Sequence, residues 1–232
     1  MKRKIDGLGR PALALAAVLA AALFFSGCAE LDVVAREAGG SFEALLKALP
    51  PAAVNRAGSL WLVQSPGGEV FAWSSDFSAR GPDLLLQIPG DPFLAAGLDP
   101  SKLPADSIGW VPDSREISIS VEIGGEQLSS RSAENPAIVF REIIEKHRAR
   151  FGYHAALDHF NVSLGRGNLV EWAKQLSKND KDLVFVLDPA PFLAAGLDPK
   201  RLQGWALAQI EVMDEKGAKI KLDKLLRAYD LH

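Results

Sequence analysis

Apolar residues recur along this chain with two periods. Phe42, Leu45, Leu46 and Leu49 follow the i, i+3, i+4, i+7 spacing of an amphipathic helix. Ser41 is placed as its N-cap and Pro50-Pro51 as its stop. Phe140, Ile143 and Ile144 repeat the stripe behind a second cap, Asn135-Pro136. After each helix the reading changes to strands. Leu60–Gln64, Glu69–Ser74 and Leu84–Ile88 follow the first helix; His159–Leu164, Asn168–Lys174 and Leu183–Leu187 follow the second. Ile117, Ile119, Val121 and Ile123 alternate with polar neighbours, and Ala206, Ala208, Ile210 and Val212 do so further on. Asp214–Gly217 reads as a turn into a short strand, Ala218–Lys221, and the spacing of Leu222, Leu225, Leu226 and Tyr229 predicts a C-terminal helix. Consecutive strands joined by short turns imply antiparallel sheets with helices on one face, an α+β fold.

The two halves of this pattern are copies. Displaced by 99 positions, Leu60–Pro100 lies without a gap on His159–Pro199, and 15 of the 41 pairs are identical. Trp73 falls on Trp172 and Asp83 on Asp182; Trp110 matches Trp205 if residues are dropped from the second copy. Internal repetition on this scale marks a duplicated structural unit, and two copies suit pseudo-two-fold packing better than a solenoid. The chain therefore divides into residues 1–27, a tether at 28–40, unit 1 at 41–125, a polar linker at 126–134 and unit 2 at 135–232. Each unit is expected to hold one helix and about four strands, the second ending in the extra helix.

Eight residues, FLAAGLDP, are invariant between the units at Phe93–Pro100 and Phe192–Pro199. Asp91 is placed to cap a short helical turn with Pro92 at its first position. Gly97 and Gly196 stand where a left-handed residue ends such a turn, with Leu98 folding back on Phe93. Asp99 and Asp198, each before a proline, read as caps of a following turn. This assigns every residue of the motif a structural job, and predicts a hinge between the third and fourth strands of each unit. The rival reading, a duplicated catalytic or metal-binding carboxylate, would make the two Asp residues chemical.

Composition adds the compartment. Lys2, Arg3 and Lys4 precede an uncharged, almost wholly apolar run from Pro11 to Phe25, which ends in Phe25-Ser26-Gly27-Cys28. The run is short for a bilayer span but suits a secretory signal. Its end resembles the lipobox of bacterial lipoproteins, with Phe25 where leucine is commoner. The resemblance covers only residues 1–28. It implies cleavage before Cys28, a diacylglycerol on its sulfur and an acylated new N-terminus. The chain would then be a membrane-anchored, extracytoplasmic lipoprotein. Cys28 is the only cysteine, so no intramolecular disulfide is available. Without the first 27 residues, 22 basic and 28 acidic residues remain, a net charge of −6. That balance disfavours nucleic acid as a partner and provides no polybasic lipid-binding patch.

Candidate chemistry is sparse. His147, His154 and His159 lack the i, i+4 pairing of a zinc helix, and no G-x-S-x-G elbow is present. No metal, cofactor or catalytic residue is assigned. The duplicated tryptophans, Trp73 and Trp172 with Trp110 and Trp205, are either repeated core packing or the wall of an apolar cleft between the units. The expected function is therefore a lipid-anchored, non-enzymatic binding or envelope-structural protein acting on another envelope protein. A carrier of an apolar ligand between the units is the alternative, and an anchored hydrolase comes behind both.

Overall fold

The structure, a computed structural model, describes residues 28–75, 81–124, 134–178, 181–213 and 219–231. The expected signal sequence, and all of the linker except Glu134, lie outside the described residues. Unit 1 comprises α1 (Cys28–Ala48), β1 (Val54–Ala57), β2 (Leu60–Gln64), β3 (Val70–Ser74), β4 (Leu84–Pro89), α2 (Asp91–Ala95), β5 (Gly109–Val111) and β6 (Glu116–Val121). Unit 2 repeats the series as α3 (Pro136–Lys146), β7 (Phe151–His154), β8 (His159–Ser163), β9 (Leu169–Ala173), β10 (Leu183–Leu187), α4 (Ala190–Ala194), β11 (Ala206–Met213) and β12 (Lys219–Tyr229). Each unit forms one six-stranded antiparallel sheet, ordered β1-β2-β3-β4-β6-β5 and β11-β12-β10-β9-β8-β7, the same topology read from opposite ends.

Expectations change at several points. The predicted C-terminal helix is strand β12, paired with β10 through Leu225–Tyr229 and with β11 through Lys219–Leu226. Its apparent helical stripe arises because Leu225 and Leu226, on opposite faces of the strand, are both buried, and a strand covered on both faces does not alternate. The sheets have six strands, not about four, because β1, β5 and β7 are short edge strands that give no clear alternation and the expected helix of unit 2 is strand β12. The tether is helical, since α1 begins at Cys28. Ser41 is consequently mid-helix and not an N-cap; its hydroxyl donates to the Ala38 carbonyl at 3.0 Å. Asn135 does cap α3, accepting from the Ala137 and Ile138 amides.

The two helices pack against each other, and the inner faces of both sheets close on the pair. The rings of Phe42 (α1) and Phe140 (α3) are 3.8 Å apart between centroids, and Trp73 and Trp172 meet Phe42 edge-on at 5.3 Å each. One continuous core therefore spans both units. The indole hydrogen bonds are exchanged between the units. Trp73 of unit 1 donates to the Pro136 carbonyl at the start of α3, at 3.1 Å. Trp172 of unit 2 donates to Ser41 Oγ at 2.8 Å and to the Ala38 carbonyl at 3.3 Å, both in α1.

The FLAAGLDP motifs lie at the other meeting of the units. Within each, the Schellman bond forms: Leu98 N–H to the Phe93 carbonyl and Leu197 N–H to the Phe192 carbonyl, both at 3.0 Å. Gly97 and Gly196 have φ of 97° and 93°. Asp91 does not cap; Gly90 occupies that position, and Asp91 pairs with Arg115 at 2.8 Å. The motif is not a hinge. It is a clasp across the pseudo-two-fold axis. Asp99 N–H donates to the Ala195 carbonyl at 2.8 Å, and Asp198 N–H to the equivalent Ala96 carbonyl at 2.9 Å. The Phe93 and Phe192 rings meet at 5.5 Å, and a Cβ on either motif glycine would sit 3.1 Å from the other's carbonyl oxygen. A patch on such an axis touches its own counterpart, so both copies are held to one sequence.

Candidate functional site

The repeated residues are used for architecture. Asp99 accepts from the Ser101 amide and hydroxyl, and Asp198 from the Lys200 amide, so both cap the turns that follow. The other repeated pair, Asp83 and Asp182, is buried and ties down the ends of β6 and β12. Asp83 accepts from the Ile123 and Gly124 amides at 2.5 and 2.7 Å, and Asp182 from Leu231 N–H at 2.8 Å. Trp73 and Trp172 are 0% exposed, inside the shared core and not on a cleft wall. Strand register corrects the other tryptophan pair. Trp110 opposes Ile117 as Leu207 opposes Leu225, so Trp110 corresponds to Leu207 and Trp205 to Ile108. Trp205 packs on Phe93 at 5.6 Å beneath the clasp, whereas Trp110 shields Gly90, where a Cβ would meet its ring. The four tryptophans thus do not share one site.

What distinguishes unit 2 from unit 1 is more informative. At three neighbouring strand positions, unit 1 carries Ala57, Leu60 and Ala72, and unit 2 carries His154, His159 and Glu171. The three side chains are buried, between 1% and 3% exposed. Nδ1 of His154 and of His159 lie 3.8 and 3.9 Å from Glu171 Oε2. Burial pushes the Glu171 carboxyl up, but the two imidazoles outweigh it and hold the group below the usual carboxylate range. Among the described residues no group of three His, Cys, Asp or Glu side chains is arranged to hold a metal ion. The chemistry here is that of a buried carboxylate shared by two imidazoles. Displacing the repeat by 99 residues already sets His159 against Leu60 and Glu171 against Ala72, which is the signal that could have found it.

The second difference is a projecting arm. Hairpin β11–β12 pairs over eight residue pairs, whereas β5–β6 pairs over three. Only Leu225–Tyr229 of β12 has β10 on its other side, so Lys219–Lys224 pairs with β11 alone. On this stretch Ile220 and Leu222 are 39% and 38% exposed. An isolated two-stranded ribbon is marginal in water. The turn at its tip lies outside the described residues. The stretch expected to be a lipobox lies outside them as well, apart from Cys28 at the first position of α1. Among the described residues no helix is long and apolar enough to cross a membrane.

The chain matches no protein-family model, no curated protein and no solved structure.

Proposed function

We propose that the protein is a lipid-anchored, extracytoplasmic interaction module, held to a membrane through Cys28 and engaging another envelope protein through the β11–β12 arm. The carrying observation is the arm itself. It is the long counterpart of a short hairpin in unit 1, among the described residues it has no third strand along Lys219–Lys224, and it presents Ile220 and Leu222 to solvent. An unpaired ribbon of this kind gains a partner by strand addition, with main-chain hydrogen bonds for affinity and alternate side chains for specificity. A binding role, not a catalytic one, is further supported by the repeated carboxylates, which are engaged as caps and strand ties.

Less supports the alternative of a carrier for an apolar ligand. The meeting of the units is filled by Phe42, Phe140, Trp73 and Trp172. An apolar cavity between α1 and unit 2, bounded by Ala35, Ala38, Phe151 and Phe160, measures about 30 Å³, far below the roughly 300 Å³ at which small-molecule pockets begin.

The test is affinity capture from envelope extract with wild type, with Ile220→Lys/Leu222→Lys and with Cys28→Ser. A protein captured by wild type and lost with the double arm variant is the expected outcome. Cys28→Ser should stay as an uncut precursor that still captures the same protein. Equal capture by the arm variant sinks the interaction reading, and normal processing of Cys28→Ser sinks the anchor.

A further inference from the structure

The pseudo-two-fold axis relates two junctions at which a hairpin of one unit meets the last strand of the other unit's sheet. They are built on equivalent positions and end differently. At the first, hairpin β2–β3 meets β12, and the gap is closed by a buried carboxylate. Glu69 accepts from the hydroxyls of Ser65 and Tyr229, the latter at 2.5 Å, and Arg227 Nε lies 3.5 Å away. Arg227 also donates to the Tyr229 oxygen at 2.6 Å. The fit is close enough that a Cβ on Gly67 would collide with the Tyr229 hydroxyl.

At the second junction, hairpin β8–β9 meets β6. Register places Asn168 for Glu69, Leu164 for Ser65, Val121 for Tyr229 and Ile119 for Arg227. The carboxylate, its hydroxyl donors and its arginine are all replaced. A cleft of about 270 Å³ is present here, lined among others by Ser107, Ser120, Arg150, Arg166 and Asn168. A recess of about 120 Å³ continues from it beneath Pro104 and Ile108, sharing Ser107, Arg166 and Asn168. One wall is the connection from Leu103 to Ile108, which is two residues longer than its counterpart from Leu202 to Trp205. Asp106 on that wall is engaged by Arg166 at 2.8 Å. Arg150 is half-buried, and among the described residues no carboxylate is within ion-pairing distance of it. Glu122 stands exposed at the same opening.

We propose that this open junction binds a small carboxylate ligand, whose carboxylate takes the part that the Glu69 carboxylate plays in the closed one. Arg150 supplies the charge-assisted hydrogen bonds, and the Ser107 hydroxyl, which donates to the Pro104 carbonyl at 3.2 Å, turns to the ligand in the part of Ser65. The volume is at the small end for ligand sites, roughly 300 Å³ and upward, which suits a short dicarboxylate or an amino acid. An amino acid would set its ammonium group towards Glu122.

The experiment is calorimetric titration of the full-length chain in detergent with succinate, and in parallel with inorganic phosphate, at low ionic strength. Wild type should bind succinate saturably with a Kd of ~1 mM or tighter. Arg150→Gln should weaken binding at least ~10-fold, the cost of a lost charge-assisted contact, with its thermal unfolding unchanged. Asn168→Glu restores the carboxylate found in the closed junction and should abolish binding. Because the Asn168 side chain also holds the Gly165 carbonyl and the Asp188 amide, Arg150→Gln decides the matter if Asn168→Glu does not fold. No saturable succinate binding, binding unchanged in Arg150→Gln, or saturable binding of phosphate alone would overturn the proposal.

Discussion

At the scale of single residues, a glycine and a glutamate carry the clearest consequences. Gly97 has a φ of 97°, and its missing Cβ leaves room for the Gly196 carbonyl at 3.1 Å. Alanine there meets backbone strain and a fixed oxygen together. Gly97→Ala should lower unfolding stability by about 2 kcal/mol, measured by chemical denaturation. The change to Ala at both Gly97 and Gly196 should cost less than the sum of the two, because their reciprocal contacts press on one interface and are relieved by the same displacement. Additive costs would mean that the clasp is not a single interaction. Glu171 bears on pH. Its folded-state pKa lies below the ordinary value, so its stabilising contribution is present above the unfolded-state pKa, about 4.3, and disappears as pH falls through the folded-state value. Glu171→Gln should therefore be less stable than wild type at neutral pH, with the gap narrowing as pH drops below the carboxylate range. Thermal unfolding at stepped pH checks this; a gap independent of pH would remove the imidazole–carboxylate account.

At the scale of elements, β12 is two strands in one. From Leu225 to Tyr229 it is paired with β10, with β11 on its other side at Leu225 and Leu226, and Leu225 is fully buried in the shared core. From Lys219 to Lys224 it is half of a ribbon. Amide exchange should divide at that point. The paired amides of the distal stretch should exchange through local opening, and those from Leu225 onward only through global unfolding. Uniform protection along β12 in the isolated protein would show that the arm is already supported. The helix pattern over Leu222–Tyr229 was misleading for a reason specific to this strand. Local spacing reports which residues are buried, but not whether the burial comes from one face of a helix or both faces of a strand.

At the scale of the whole molecule, the two units are one folding unit. Phe42 of unit 1 packs on Trp172 of unit 2, each unit's indole donates to the other's helix, and the clasp joins the opposite end. A fragment ending at Gly124 would leave Trp73 without its acceptor and would expose one side of α1. Such a fragment should lack cooperative thermal unfolding and fixed near-ultraviolet dichroism, and should recover both when mixed with residues 134–232. A fragment with its own sharp transition would show that the duplication yields two independent domains. The order helix, sheet, helix, sheet and the equivalence of the units were determined by the sequence itself, because repeated identities survive wherever both copies meet the same demand. So were the left-handed glycines and the Asp caps of FLAAGLDP, which are local backbone requirements. Only the tertiary structure decided that the motif clasps its own copy, that the tryptophan bonds are exchanged, that Trp110 answers to Leu207, and that one hairpin junction is closed while its twin is open. Those facts depend on contacts between residues some hundred positions apart, and a linear spacing holds no record of which strand lies beside which.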